Sequence, residues 1–381
     1  MPLRATGHSL GNKEFLMTAP FRADHVGSFL RPPSVKAAWE ARDRGELTPA
    51  QAAEVEDREI TRIIARQEQA GLKLATDGEC RRAVWSMDFF QGLRGLEKAT
   101  ADRGVMFHGM EATRKSVRLV GKLGFAADHP MIGHFRFLKD HTRVTAKMTI
   151  PSPPVAHFRL TRAQIDPVYP DIEEFFHDLG QTYRDAVHAF YDAGCRYLQF
   201  DDTVWAYLCD PEQLALAKER GHDPDRLPEA YARMVSHALS GRPRDMAITT
   251  HVCRGNFRST WISEGGYEPV AETLLGKVNY DGYFLEYDTD RAGGFEPLRF
   301  LPRGDKQVVL GLITSKSGTL EHKDDIKRRI DEAARFADPE QFCLSPQCGF
   351  ASTEEGNILT EEQQWAKLRE IVELADEVWG R

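Results

Sequence analysis

Along this chain, short apolar runs rich in β-branched residues alternate with longer stretches whose apolar positions recur at helical spacing. Eight runs read as strands: 21–29, 72–79, 143–150, 195–202, 245–253, 282–287, 306–314 and 341–348. Helices are expected between them, at 50–70, 172–193, 227–239, 267–277, 320–336 and 361–378. Several carry start signals, Thr48-Pro49, Pro170-Asp171 and Thr360-Glu361-Glu362. Gly71 and Gly194 stand just past two of them, where the chain must turn into the next strand. Strand followed by helix, repeated over eight strands, predicts an α/β protein built as a (β/α)8 TIM barrel rather than an open sheet. The barrel is expected as one domain over 21–381, after an irregular extension at 1–20. Within that extension Met17-Thr-Ala-Pro20 reads like a start, and a chain beginning at Met17 is expected to keep the fold.

The polar residues of these runs gather at one end. Ser28, Asp77, Glu79, Asp201, Asp202, His251, Cys253, Glu286, Thr314 and Cys348 all fall at the C-terminal ends of strand candidates. Barrels of this kind carry their active sites on that face. One segment departs from the repeat: 80–142 is too long for a loop and holds two runs of β character, 105–112 and 115–125. It predicts an inserted β-hairpin after the second strand, packed over the barrel mouth and anchored by Trp85, Phe89 and Phe90. Pro151-Ser-Pro-Pro154 predicts a stiff interruption after the third strand.

Composition narrows the class without changing this picture. The 381 residues are 41% hydrophobic and 28% charged, ordinary for a soluble globular protein. Fifty basic against 58 acidic residues give a net charge of −8 and no basic footprint for nucleic acid. No apolar run approaches the ~18 residues of a membrane span, and the first residues lack the apolar core of a secretory signal. Six cysteines, Cys80, Cys195, Cys209, Cys253, Cys343 and Cys348, are too scattered for a disulfide framework. A reducing, cytoplasmic setting is therefore expected. Cys195 and Cys343 lie within apolar runs and read as small core residues, whereas Cys80 and Cys209 suggest no specific role.

The fifth run ends in Thr250-His251-Val252-Cys253. In an extended chain, residues i and i+2 share a face with Cα atoms roughly 6.5 Å apart, so the imidazole and the thiol can converge on one metal ion. Glu286 and Cys348 end two later runs. One His, two Cys and one Glu make a nitrogen, sulfur and oxygen set suited to zinc. The competing reading is a buried glutamate paired with an arginine and cysteines packed as small apolar residues. Structural zinc is disfavoured, because such sites use local cysteine knuckles, whereas these residues meet only through the fold. Two thiolates and a carboxylate give the ion a poor setting for activating water. They give it a good one for binding an incoming thiol and holding it as thiolate. The expected chemistry is S-alkylation, in which that zinc-bound thiolate attacks an electrophilic carbon.

These motifs resemble the cobalamin-independent methionine synthases. That family carries a catalytic zinc on His-x-Cys, a later Glu, and a Cys in a Pro-x-Cys-Gly context. Here they read His251-Val-Cys253, Glu286 and Pro346-Gln-Cys348-Gly349. The resemblance extends to Val26-Gly-Ser28-Phe29, Asp77-Gly-Glu79 and Gln199-Phe-Asp201-Asp202, and so covers roughly 21–381. The chain looks like the short, single-barrel branch. The resemblance implies Zn2+ as cofactor, homocysteine as the amino-thiol substrate and a methyl donor as the second substrate. It also implies that Ser28 and neighbouring N–H groups hold the amino acid's carboxylate, while Glu79 and Asp201 hold its ammonium. Charge-assisted bonds suit that task. The duller alternative for Glu79 and Asp201 is a salt bridge with Arg81 or Arg82.

Two positions depart from the family's full-length pattern. Its Asp-Ile-His-Ser segment, whose histidine serves as a proton donor, reads Leu312-Ile-Thr314-Ser315 here. No tryptophan lies between Arg143 and Pro170, where those enzymes stack one on the pterin. Both losses weigh against a folate donor and leave thiol activation intact. The leading expectation is a zinc-dependent thiol alkyltransferase that methylates homocysteine to methionine. Its rivals are alkylation of another thiol (coenzyme M with an epoxide, for example), a zinc hydrolase, and a zinc-storage or scaffold protein. Glu79 and Asp201 favour the amino thiol, and ligand softness disfavours the hydrolase. No glycine fingerprint of a dinucleotide site follows any strand candidate. The methyl donor, the physiological thiol and the choice between monomer and homodimer are left open.

Overall fold

A computed structural model describes residues 19–101, 104–112 and 115–380. Its centre is a curled sheet of seven parallel strands, the arrangement of a TIM-like barrel. The strands are β1 (Leu74–Ala75), β2 (Thr145–Pro151), β3 (Tyr197–Asp202), β4 (Ala247–Val252), β5 (Gly282–Glu286), β6 (Gln307–Ile313) and β7 (Phe342–Pro346). They stand in chain order across the sheet, each parallel to its neighbour. The irregular extension expected at 1–20 falls outside the described residues except for Ala19 and Pro20.

The first expected strand, 21–29, is not a full strand. Ala23 forms an isolated parallel bridge with Leu344 of β7. On the other side Thr76 Oγ1 donates to the Gly27 carbonyl at 2.6 Å, and Phe29 N donates to the Gly78 carbonyl at 3.0 Å. The segment thus lies between the two edges of the sheet, joined to each by few bonds. The cause is local: the Asp24 carboxylate accepts from Phe21 N and His25 N, drawing those donors away from any ladder. The second run shortens to two residues for a related reason. Thr76 N donates to Gln67 Oε1, and Glu79 N donates to Asp77 Oδ1 in an Asx turn.

The helices follow the periodicity closely: Pro49–Gln69, Ile172–Asp192, Leu227–Leu239, Glu268–Lys277, Lys323–Ala333 and Glu361–Trp379. Thr48, Asp171 and Thr360 cap three of them, each accepting from a backbone N–H of the first turn. The helix Ile172–Asp192 buries Phe175, Leu179, Tyr183, Val187 and Phe190 in the main core. Strand β2 ends at Pro151, as the proline cluster implied, and Pro153 and Pro154 follow it directly. They open the helix Pro153–Arg159, where a missing N–H forfeits no intrahelical bond.

In the long insertion, Arg94–Thr100 pairs antiparallel with Lys115–Gly124, and Met106–Phe107 pairs with Met110–Glu111 at the tip. Pairing between 105–112 and 115–125, as the two apolar runs suggested, is not what forms. The true partner strand, Arg94–Thr100, buries only Leu96 and so gives almost no hydrophobic pattern. Phe89 and Phe90 are fully buried at the base of this ribbon, and Trp85 is partly buried there. No helix among the described residues is long and apolar enough to cross a membrane. Cys195 and Cys343 are fully buried, as their runs implied.

Candidate metal centre and substrate cavity

His251 is in β4, and Cys253 lies just beyond its end, so the alternation of an extended chain turns both side chains to one face. Glu286 is the last residue of β5, and Cys348 lies two residues past β7. The fold brings all four together: one ligand atom from each lies within 4.8 Å of the others, and all four residues are buried. Ligand atoms around a tetrahedral zinc stand about 3.3–3.8 Å apart, given bonds of about 2.0–2.3 Å. The Cys253 Sγ to Cys348 Sγ distance of 3.5 Å falls in that range, so the residues fit the ion.

Neighbouring groups fix each of these side chains. Glu286 accepts from Arg254 N at 3.0 Å and from Arg291 at 3.1 Å. Cys253 Sγ accepts from Gly255 N at 3.2 Å. The His251 ring lies between Asp201, 3.6 Å from Nδ1, and the Gln347 carbonyl, 3.1 Å from Nε2. Burial alone would lower the His251 pKa, but Asp201, Cys348 and Glu286 together raise it to about 9. In the thiol pair, the hydrogen bond from Cys253 holds Cys348 low while the same contact pushes Cys253 up. Next to Cys348, Gly349 packs so closely on Ser28 that a Cβ there would sit 1.9 Å from Ser28 Oγ.

Ser28, Glu79 and Asp201 line a cavity of about 410 Å³ together with His251, Cys253 and Cys348. Ser28 Oγ accepts from Ala351 N at 3.4 Å, and the Ser28 carbonyl accepts from Phe350 N. Glu79 is held at a positive φ of 56°, which is strained for a residue with a side chain. Its Oε1 accepts from Thr149 Oγ1 at 3.0 Å and lies 3.4 Å from Arg82, while its Oε2 is buried without a partner. Burial, then the nearby Asp201 charge against the pull of Arg82, raises the Glu79 pKa to about 7. The duller reading therefore holds in part: Glu79 does meet Arg82, whereas Arg81 pairs with Glu56 and Asp57. Asp201 meets His251 instead of an arginine. It consequently touches a candidate ligand, which the sequence reading treated as independent of it.

Trp85, expected as an anchor over the barrel mouth, lines the wall, and so do residues that the sequence pattern did not mark: Phe158, Arg159, Tyr207, Arg220 and Asn256. They come from loops and short helices after the strands, where no periodicity marks them. The ribbon tip also contributes, through Val105, Met106 and Phe107, with the Phe107 ring 5.2 Å from Phe257 across the mouth. Thr314, where a histidine was sought, donates to Asp288 Oδ2 at 3.0 Å.

A family model described as the catalytic domain of cobalamin-independent synthase matches residues 21–377. The protein YxjH of Bacillus subtilis (strain 168) is 52% identical over 362 residues, spanning 95% of each chain. A crystal structure from Listeria monocytogenes, 43% identical, superposes with a TM-score of 0.76 over 96% of this chain and 99% of its own. A B12-independent methionine synthase from Shewanella sp. W3-18-1, solved in complex with selenomethionine, shares the fold. It does so at 18% identity, with a TM-score of 0.69 over 94% of this chain and 97% of its own.

Proposed function

The chain belongs to the cobalamin-independent synthase family through its catalytic domain, and from that premise we propose that it methylates the sulfur of homocysteine, giving methionine. In this reading His251, Cys253, Glu286 and Cys348 hold a zinc ion, which when bound supplies a place for the substrate thiol to sit deprotonated near neutral pH. The observation that carries the reading is that three of these donors, His251, Cys253 and Cys348, line the same cavity as Ser28, Glu79 and Asp201.

The chain's own residues do the positioning. Ser28 Oγ–H and nearby backbone N–H groups receive the amino acid's carboxylate. The unpartnered Glu79 Oε2 and the Asp201 carboxylate receive its ammonium. Held this way, the sulfur lone pair forms a bond to the methyl carbon as that carbon's bond to the donor breaks. The electron pair leaves with the donor, which takes up a proton. Fixing both reactants in one cavity turns a bimolecular encounter into an oriented one. A hydrolytic role is disfavoured because two thiolates and a carboxylate damp the ion's pull on water.

Cobalt substitution tests the proposal. Adding homocysteine to the cobalt form should produce a new thiolate-to-cobalt charge-transfer band, and a donor screen on the zinc form should yield methionine. Absence of the band at saturating homocysteine would overturn thiol binding at the metal. A band without methionine from any donor would overturn the transfer.

A further inference from the structure

Arg159 and Arg220 stand on the wall of the cavity that also holds His251, Cys253 and Cys348. Arg159 ends the helix Pro153–Arg159, and Arg220 follows the helix Pro211–Glu219. Arg159 donates to Ser86 Oγ at 3.0 Å, but its Nε is buried with no partner. Arg220 donates to the Phe158 carbonyl at 2.6 Å, and its guanidinium lies 5.5 Å from the Phe158 ring centre. Neither forms an ion pair among the described residues. Elsewhere in the chain, buried guanidinium groups meet carboxylates, carbonyls or, for Arg254, the face of the Tyr267 ring at 4.4 Å. Arg82 and Arg291 meet carboxylates, and Arg31, without one, donates to the carbonyls of Phe29, Arg82 and Ala351.

The Arg159–Arg220 pair is also a like-charge pair. Burial, with Arg220 adding to it, lowers Arg159 to about 10. Tyr207, the other group acting on Arg159, brings no negative charge, because burial pushes its phenol up to about 12. Two half-buried guanidinium groups on one cavity wall, neither with a carboxylate partner, repel each other unless an anion joins them. Functional sites are where such a cost is tolerated.

We infer that Arg159 and Arg220 form an oxyanion subsite for the second substrate, so that the methyl donor carries a carboxylate, phosphate or sulfonate held in the same cavity as its reacting carbon. This rests on the function proposed above. The placement separates the subsite from the amino acid's own carboxylate. Ser28 and Gly349 come from the edges of the sheet, whereas the arginines come from the connections after β2 and β3. At about 410 Å³ the cavity is at the small end for ligand pockets, so an anion on the arginines stays close to the sulfur centre.

Calorimetry on the zinc-loaded full chain, titrated with inorganic phosphate at constant ionic strength, tests this. Phosphate should bind saturably to the native protein and at least tenfold more weakly to Arg159→Met and to Arg220→Met. Because Arg159 has no counter-ion among the described residues, its removal should leave the thermal midpoint of Arg159→Met equal to or above the native value. Saturating methionine should leave the phosphate affinity unchanged. Native-like phosphate binding in either variant, or no saturable binding at all, would overturn the subsite. Competition with methionine would assign the arginines to the amino acid and overturn the donor assignment. Failure of methionine to bind, with phosphate binding intact, would instead remove the proposed function and the donor assignment with it, while leaving an anion site.

Discussion

Cys253 Sγ lies 3.5 Å from Cys348 Sγ, although the two residues stand 95 positions apart. With His251 and Glu286 beside them, the pair forms a preassembled soft donor set. Native protein should carry one zinc per chain by elemental analysis. Cys253→Ser and Cys348→Ser should each retain less than about a tenth of it, since binding energy at such a site is also folding energy. Chelation should lower the thermal midpoint for the same reason. Full zinc in both variants would sink the site.

Under the proposed function Asp201 would serve both the ammonium and the metal ligand His251, and its substitution should affect both. Its Oδ1 accepts from Gln199 at 2.6 Å and faces His251 Nδ1 at 3.6 Å. Losing one charge-assisted contact to the ammonium should weaken methionine binding by roughly tenfold to a hundredfold. Losing the group that orients a ligating histidine should cost about 10–100-fold in metal affinity. Asp201→Ala measured by metal competition and by methionine titration separates the two effects. Unchanged zinc affinity would show that Asp201 serves the substrate alone.

Glu79 sets a pH dependence with a defined sign. Its pKa is raised in the folded chain from the ordinary 4.5 to about 7, chiefly by burial. The neutral form is the one the fold favours. Stability from this group is complete below pH 4.5, falls as the pH rises, and is lost above about 7, a span worth up to about 3 kcal/mol. Glu79→Gln should therefore gain stability relative to the native protein between pH 5 and 8, as read by denaturant unfolding. An arriving ammonium favours the carboxylate, so methionine binding at pH 6 should release up to one proton and at pH 8 far less. Calorimetry in two buffers of different ionisation heat reads that release; equal proton release at both pH values would remove Glu79 from the ammonium site.

Deeper in the barrel, Lys147 Nζ lies 2.9 Å from Asp24 Oδ1 and donates to the His25 carbonyl at 2.6 Å, with both charged side chains fully buried. Breaking such a pair leaves an uncompensated charge and costs about 3–5 kcal/mol. Lys147→Met should lower the unfolding midpoint accordingly, whereas Lys147→Met combined with Asp24→Asn should recover part of the loss. A single variant as stable as the native chain would mean that the pair contributes nothing.

The sequence by itself determined the alternation of elements and which residues end the strands. Periods of 2 and 3.6 follow from backbone geometry, and the caps at Thr48, Asp171 and Thr360 are local chemistry. For the same reason the residues of the donor set could be named in advance: strand ends of one parallel sheet share a face, whatever their separation in the chain. Tertiary structure decided the rest. It reduced 21–29 to a single bridge because Asp24 captures the backbone donors, and it paired the ribbon through Arg94–Thr100, which carries almost no apolar signal. It also set Asp201 beside His251 and turned Arg159 and Arg220 onto one wall. Those contacts depend on how the loops after the strands pack. Periodicity reports which face of an element is buried, and it carries no information about what a loop residue meets across a cavity.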